Sequence, residues 1–365
     1  MNVLIAPNAF KGTIEADEAA EIIAEGIKKK YPQANLKLCP IADGGDGTCY
    51  LLGKALGLQK FDLVCLNPIG RPVKGFFFFN PSTKTALIDV STVSGIKYLK
   101  ETEKQAWLAS SFGTGELVKA AVAQGAEHIV LGLGGSASID LGLGILGGLG
   151  YVFLDEHGRQ IPFFSERFIS KIAHIQAPIV NYKIRFTILC DVENTFFGQN
   201  GAIPVFGPQK GLNQTEIPNY LKASEYVLKL LGKKAGVVVQ DKKGFGAAGG
   251  IAFGLSFFFP IQIKMGANWF FNELKIDSLV KWSDVVITGE GKYDSQSEGG
   301  KGSFELLQLV KRLQKHCILI TSGNDAVRAG FDQLVKLQPL DFSQNDFLDN
   351  AKSNLEEAVS TIKLV

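Results

Sequence analysis

Apolar segments typical of β-strands alternate with amphipathic helical segments at both ends of the chain. Residues 2–6 form a short apolar run that predicts a strand. Small and branched apolar residues then recur at helical spacing until Pro32 prevents continuation: Ala16, Ala19, Ala20, Ile23 and Ile27. The alternation resumes at residues 284–288 and continues to a last helix from residue 350 onward. Strand–helix alternation indicates a parallel sheet covered by helices, so both chain ends are expected to build one domain.

The middle of the chain follows a different pattern. Residues 61–66, 73–79 and 85–90 are closely spaced strand candidates separated by Asn-Pro turns, a rhythm typical of antiparallel pairing. A chain of 365 residues also exceeds what one hydrophobic core usually supports. We therefore predict an α/β protein with two α/β domains and a cleft between them: a discontinuous parallel-sheet domain, residues 1–60 plus 282–365, and an inserted mixed α/β domain, residues 61–281.

Composition narrows the class of partner. Lys and Arg number 38 against 36 Asp and Glu, without a basic tail or acidic block, so neither nucleic acid nor a membrane surface is expected. The five cysteines are scattered and lack a Cys-x-x-Cys pair, which favours reduced thiols in the cytosol. The first residues carry no basic leader. These features predict a cytoplasmic protein with a small-molecule partner; a homodimer is compatible with them.

Glycine-rich loops follow several of the apolar strands, and many of them contain a lysine or a carboxylate. Phosphoryl transfer needs backbone N–H groups close to phosphate oxygens, cations, carboxylates that hold magnesium, and a proton acceptor. Residues 7–13 contain Asn8 and Lys11, and residues 42–48 contain Asp43 and Asp46. The ordinary alternatives are a helix start and a tight turn in which the second aspartate caps a helix.

Further loops share this character. Residues 110–116 and 132–138 each precede a predicted helix and could hold an anion through N–H groups and hydroxyls. Asp191 ends the apolar run 184–190, where it could bind a metal or accept a proton. Residues 288–297 combine a lysine with acidic residues in one loop after a strand. Capping, turn formation and close packing are the ordinary alternatives for these loops too.

One loop supports a rival interpretation. Gly132-x-Gly134-x-x-Ala137 matches a dinucleotide fingerprint, and Asp155 follows at a suitable distance. This pattern suggests a nicotinamide-dependent hydroxy-acid oxidoreductase. The chain has no P-loop and no protein-kinase signature, so an ATP site must have another design. A third interpretation is a non-catalytic anion-binding protein with degenerate loops.

Taken in order, the loops resemble those of the bacterial glycerate kinase family of the glyoxylate and sugar-acid pathways. The shared segments are Ala-Asp-Gly-Gly-Asp-Gly-Thr at 42–48, Gly-Thr-Gly-Glu-Leu at 113–117, Gly-Gly-Ser-Ala at 134–137 with Asp140, Phe-Gly-Pro-Gln-Lys-Gly at 206–211, Gly-Ala-Ala-Gly-Gly at 246–250, and Ile-Thr-Gly-Glu-Gly with Asp-Ser-Gln-Ser at 287–297. The chain departs from the family at Asn8, Ile139 and Glu193, where Asp, Asn and Thr are usual.

The resemblance implies a flavodoxin-like discontinuous domain and a kinase that transfers the γ-phosphate of ATP, with Mg²⁺, to a hydroxyl of D-glycerate. It favours 2-phosphoglycerate as the product. Lys11, Asp191 and Lys292 are the expected catalytic residues, and Glu290 and Asp294 are alternatives to Asp191 as the proton acceptor. The expected metal ligands are Asp43, Asp46 and Asp294.

The expected ligand-binding residues fall into two groups. Those expected to bind the nucleotide or its phosphates are Gly113, Thr114, Gly134, Gly135, Ser136, Gly289, Glu290 and Gly291. Those expected to bind the acceptor substrate are Asn8, Lys11, Asp43, Gly44 and Gly45.

Overall fold

The computed structural model describes residues 1–293, 302–323 and 325–364. The chain divides into two compact units. The first unit is Met1–Asp43 with Gly266–Val365, and the second unit is Gly44–Met265. The sequence suggested divisions after residue 60 and before residue 282. In the structure the helix after residue 47 packs on strands of the second unit, and two helices after residue 265 pack within the first.

The strands are β1 (Asn2–Ile5), β2 (Asn35–Leu38), β3 (Gln59–Leu66), β4 (Pro72–Asn80), β5 (Thr85–Asp89), β6 (His128–Gly132), β7 (Val152–Leu154), β8 (His174–Gln176), β9 (Arg185–Cys190), β10 (Ile261–Met265), β11 (Val285–Gly289), β12 (His316–Thr321) and β13 (Gln333–Lys336). The α-helices are α1 (Ala16–Lys30), α2 (Thr48–Ala55), α3 (Ser91–Ser94), α4 (Phe112–Ala123), α5 (Leu143–Gly148), α6 (Phe168–Lys171), α7 (Ala202–Phe206), α8 (Ile217–Ala235), α9 (Ile251–Leu255), α10 (Gly266–Glu273), α11 (Ile276–Trp282), α12 (Gly302–Arg312) and α13 (Phe347–Ser360).

The first unit contains a parallel sheet in the order β13-β12-β11-β1-β2. Numbered by chain order within this unit, the five strands read 2-1-3-4-5 from the β2 edge of the sheet. This is the flavodoxin-like order. Strand residues such as Val3, Ile5 and Ile287 are fully buried against α1 and α13. The prediction of one discontinuous domain from both chain ends is confirmed.

The second unit contains a mixed sheet in the order β10-β9-β6-β5-β4-β3. β3, β4 and β5 pair antiparallel, as their close spacing predicts, whereas β5, β6, β9 and β10 pair parallel. The phenylalanines of β4 contribute to the core, since Phe77, Phe78 and Phe79 are buried. The mixed α/β character of the inserted domain is therefore confirmed. Among the described helices, none combines the length and the apolar character that a bilayer crossing requires.

Candidate functional site

A cavity of about 600 Å³ lies at the carboxyl edge of the parallel sheet in the first unit. Its lining comes from the segments that follow all five strands of this sheet, together with one face of α13. The sheet order reverses between β1 and β11, and ligands of open α/β sheets bind outside the carboxyl ends of strands at such a switch point. The cavity is within the roughly 300–1,000 Å³ range of small-molecule sites.

The segment after β1 brings Asn8 and Lys11 to this cavity. The Asn8 backbone N–H donates to the Gly289 carbonyl at 2.8 Å, which ties this segment to the end of β11. Residues 10–14 then form a tight turn closed by two backbone hydrogen bonds between Phe10 and Ile14, of 2.9 and 3.1 Å. Gly12 within it has a φ of +81°, which favours glycine.

Lys11 is exposed within this turn. The helix that follows begins at Ala16 and its N-cap is Glu15. Lys11 thus lies in the turn before α1 and not at a helix start, which was the ordinary alternative for this loop. Its positive charge still lies at the cavity wall.

Two acidic side chains line the same cavity. Asp43 follows β2 and is 5% exposed, and its Oδ2 accepts a hydrogen bond of 3.2 Å from the Asn8 amide. Glu290 follows β11 and is 6% exposed, and its backbone N–H donates to the Ile320 carbonyl at 3.0 Å. The Asp43 carboxylate is therefore held by Asn8, and the backbone of Glu290 is held by the end of β12.

Lys292 is the second lysine of this group, and it is exposed. The Gly291 carbonyl before it accepts a hydrogen bond of 3.1 Å from the Ser322 backbone N–H, so the loop after β11 is tied to the end of β12. The third predicted metal ligand, Asp294, lies outside the described residues. The cavity thus brings together Asn8, Lys11, Asp43, Glu290, Gly291 and Lys292 of the predicted site.

The second unit holds another group of predicted residues. Asp46 accepts a hydrogen bond from the Ser91 hydroxyl and lies 3.7 Å from the Lys97 ammonium. The loop after β6 passes close to the loop that contains Asp46. A Cβ added at Gly134 would lie only 2.2 Å from the Gly45 carbonyl carbon. Gly134 thus allows the loop after β6 to approach the loop at 44–47, and Gly135 adopts a φ of +69° there.

The glycines at the start of the 44–47 loop belong to a compact turn. The Gly44 N–H donates to the Thr48 hydroxyl at 3.1 Å, and that hydroxyl donates to the Gly45 carbonyl at 2.9 Å. Asp46 does not cap α2, whose N-cap is Gly47.

The buried carboxylate of Asp89 takes that place at the start of α2. Its two oxygens accept hydrogen bonds of 3.0 Å from the Cys49 and Tyr50 backbone N–H groups. Burial raises the pKa of the Asp89 carboxyl to about 7, against the opposing effect of these hydrogen bonds. The residue pattern does not reveal this contact, since Asp89 lies far from α2 along the chain.

A buried lysine holds the loop that contains Ser136. The Lys210 ammonium donates to the Ser136 hydroxyl at 2.8 Å and to the Ser138 carbonyl at 2.9 Å. Burial lowers the pKa of Lys210 to about 7, and the attraction of Asp140 partly opposes this. The sequence places Lys210 in the shared Phe-Gly-Pro-Gln-Lys-Gly segment but indicates no role for it, because its burial is not visible in the residue pattern.

Asp140 supports the same loop from the other side. It is 6% exposed and accepts hydrogen bonds from the Ser111 N–H at 2.7 Å, the Ser111 hydroxyl at 2.8 Å and the Ser138 hydroxyl at 3.1 Å. The carboxylate therefore links the loop after β6 to the start of α4.

Other predicted site residues have packing roles. A Cβ at Gly113 would lie 1.9 Å from the Leu66 carbonyl oxygen, and the buried Thr114 hydroxyl donates to Ser94 Oγ at 2.8 Å. Gly289 ends β11, where an added Cβ would meet the Phe10 ring at 2.8 Å. Asp191 directly follows β9 and is partly buried.

The geometry does not support the dinucleotide interpretation. A dinucleotide fingerprint opens directly into a helix, but α5 begins only at Leu143. Asp155 follows β7, which pairs with β8 in a separate two-stranded sheet, and it forms an exposed ion pair of 2.9 Å with Arg159. A ribose-binding carboxylate would follow a strand of the main sheet.

The fold and the cavity thus define an α/β protein with a flavodoxin-like sheet and a site for an anionic small molecule at its switch point. Comparison with known proteins specifies it further. The family model described as "Glycerate kinase family" matches residues 3–365, and the chain belongs to this family.

Individual relatives agree with the family model. A glycerate kinase of Bacillus subtilis is 32% identical, over 99% of this chain and 97% of its own length. A glycerate kinase of Haemophilus influenzae is 33% identical, over 100% of this chain and 98% of its own length. A crystal structure from Salmonella typhimurium LT2, described as glycerate kinase 2, superposes with a TM-score of 0.81 at 29% identity, over 99% of this chain and 96% of that one. The protein is thus a kinase.

Proposed function

We propose that the protein transfers the γ-phosphate of ATP to a hydroxyl of D-glycerate. The 2-position is the favoured acceptor, because a relative from Escherichia coli, 31% identical over 88% of this chain and 85% of its own length, is named glycerate 2-kinase. The observation that carries the proposal is the cavity of the first unit, which gathers Lys11, Lys292, Asp43 and Glu290 from separate strand ends.

The two lysines supply the positive charge that phosphoryl transfer requires. Lys11 and Lys292 come from segments that follow neighbouring strands, β1 and β11. Charge spreads over the equatorial oxygens of the transferred group in the transition state, and fixed cations stabilise that charge. The proton acceptor is one of Asp191, Glu290 and Asp294.

Magnesium is the proposed metal cofactor. Within residues 1–293, 302–323 and 325–364, no group of three or more His, Cys, Asp or Glu side chains is clustered as metal ligands. Mg²⁺ is usually held by one or two carboxylates together with substrate phosphates, so Asp43 and Glu290 fit the ion. When bound, Mg²⁺ would neutralise phosphate charge. Asp46 and Asp294 stay proposed ligands on the family resemblance.

Phosphorus NMR of the reaction tests the proposal. The protein, ATP, Mg²⁺ and D-glycerate should yield ADP and 2-phosphoglycerate, and omission of glycerate should abolish ADP formation. Lys292→Met should lower kcat/KM by about 100-fold or more, a loss of the size found when one transition-state donor is removed. ATP hydrolysis that does not respond to glycerate would contradict the proposed reaction.

Location and assembly are two further proposals. All five cysteines are unpaired thiols, which supports a reducing, cytoplasmic environment. A homodimer is the proposed assembly, and light scattering of the purified protein would test it.

A further inference from the structure

The cavity of the first unit has two chemically different walls. The wall formed after β2, β1 and β11 carries the charged side chains described above, with the buried Phe10 and Ile14 beside them. The wall formed by the segment after β13 and by α13 is largely apolar: Leu337, Pro339, Leu340, Phe342, Ala351 and Leu355. Lys336, at the end of β13, is the charged residue of this second wall.

The sheet order sets the distance between these walls. β13 is separated from β1 by β12 and β11. Neighbouring strands lie about 4.8 Å apart, so the ends of β1 and β13 are about 14 Å apart along the sheet edge. A ligand that touches both walls must therefore be extended, with an anionic part near Lys11 and an apolar part near Leu340.

Glycerate does not have this character. It is a short chain with a polar group on every carbon, and it has nothing to place against an apolar wall. A nucleoside triphosphate has a flat, weakly polar base at one end and an anionic chain at the other. Its size also suits a cavity of about 600 Å³.

We propose that this cavity is the nucleotide site, with the base of ATP against the apolar wall after β13 and the phosphates toward Lys11 and Lys292. This inference rests on the proposed kinase function and deepens it. It reassigns Asn8, Lys11 and Asp43 from the acceptor, where the resemblance placed them, to the nucleotide and its metal. The Gln338 and Asn354 amides lie in the same wall and can bond the base edge.

Phe342 offers a direct test, because it lines the cavity and is 64% exposed, so its loss leaves the core intact. Phe342→Ala should weaken ADP binding by roughly 5- to 100-fold, the range for losing an aromatic face from a base. Tripolyphosphate, which has no base, should bind with unchanged affinity. Titration calorimetry measures both ligands.

Two further variants complete the design. Lys11→Met should weaken ADP and tripolyphosphate by the same factor, because it acts on the phosphates alone. Val327→Ala is the matched control, since Val327 is 73% exposed and does not line the cavity. It should change neither affinity.

The same variants are assayed in turnover. Phe342→Ala should raise the KM for ATP and leave the KM for glycerate unchanged. An unchanged ADP affinity, or a raised KM for glycerate alone, would overturn the nucleotide assignment while wild-type turnover still supported the kinase function. Absence of glycerate-dependent turnover in the wild type would instead overturn the function.

Photolabelling adds a test that needs no variant. 8-Azido-ATP carries its reactive group on the base, so irradiation of the wild-type protein should label peptides from residues 337–355. Labelling confined to the second unit would refute the assignment.

Discussion

The Asn8 amide donates a 3.2 Å hydrogen bond to the Asp43 carboxylate, and both residues line the cavity of the first unit. The family resemblance predicts Asp at position 8, where this chain has Asn. A carboxylate at that position would put two negative charges side by side, whereas the amide supplies a donor. The neutral residue thus stabilises Asp43 without a metal ion.

Asn8→Asp should therefore make the stability of the folded protein depend on Mg²⁺. Without the metal, the free energy of unfolding should fall by about 1–3 kcal/mol. The buried Asp43 carboxylate would lose the hydrogen-bond donor of Asn8 and face a second negative charge instead. Added Mg²⁺ should restore much of that loss. Urea unfolding with and without Mg²⁺ measures both effects.

Asn200→Asp is the control for this substitution, since Asn200 is exposed in the turn before α7. It should change the free energy of unfolding by less than about 0.5 kcal/mol, with or without Mg²⁺. An Asn8→Asp variant as stable as the wild type without metal would show that the two side chains are not coupled.

Gly134→Ala should separate two loops of the second unit. The new Cβ would lie 2.2 Å from the Gly45 carbonyl carbon and 2.3 Å from the Asp46 nitrogen, and backbone atoms cannot rotate away. Overpacking of this kind costs about 1–3 kcal/mol of stability. Thermal unfolding should show the loss, and glycerate-dependent turnover should fall with it.

Gly291→Ala is the matched control for the stability measurement. A Cβ there would meet its nearest atom at 3.4 Å, an ordinary contact, so the melting temperature should barely change. Equal losses in both variants would mean that the close approach of the two loops is not the cause.

The sequence predicted the fold class because strand and helix periodicities are local properties of the chain. It also predicted that loops after strands would carry the site, since parallel strands place their carboxyl ends at one sheet edge. It missed contacts set by distant pairing. Asp89 reaches α2 only because β5 lies against that helix, and burial of Lys210 depends on where Ser136 and Ser138 lie.

Asp89→Asn should remove a pH dependence of stability. The pKa of Asp89 is raised by burial from 3.8 to about 7, so the folded state binds more protons than the unfolded state between these values. The stability of the wild type should therefore fall as pH rises from 4 to 7, by up to about 1.4 kcal/mol per unit. The variant lacks this contribution. The difference between its free energy of unfolding and that of the wild type should therefore shift in favour of the variant as pH rises from 4 to 7.

Asp62→Asn serves as the control, because the Asp62 side chain is 69% exposed in a surface ion pair with Lys60. Its stability should follow the wild-type pH profile. Guanidinium unfolding at pH 4, 5, 6 and 7 gives the comparison. Parallel profiles for Asp89→Asn and the wild type would contradict the prediction.

Lys210→Met should remove a pH dependence of the opposite sign. Burial lowers the pKa of Lys210 from 10.5 to about 7, so between these values the unfolded chain binds more protons than the folded protein. The free energy of unfolding of the wild type should then rise by about 1.4 kcal/mol per pH unit above pH 7. Below pH 7 the burial cost is constant and present in full. Lys210→Met has no such group, so its stability should decline relative to the wild type from pH 7 to pH 10.

Lys243→Met controls for the loss of a lysine, since the Lys243 side chain is 77% exposed and pairs with Glu193 at the surface. Its pH profile should match that of the wild type. Turnover separates the role of Lys210 in holding the loop after β6 from its effect on stability. Lys210→Met loses the hydrogen bonds to Ser136 and Ser138, so this loop is no longer fixed. Its kcat/KM should therefore be lower even where the variant is fully folded. A folded variant with wild-type turnover and an unchanged pH profile would mean that the ammonium neither holds the loop nor titrates near pH 7.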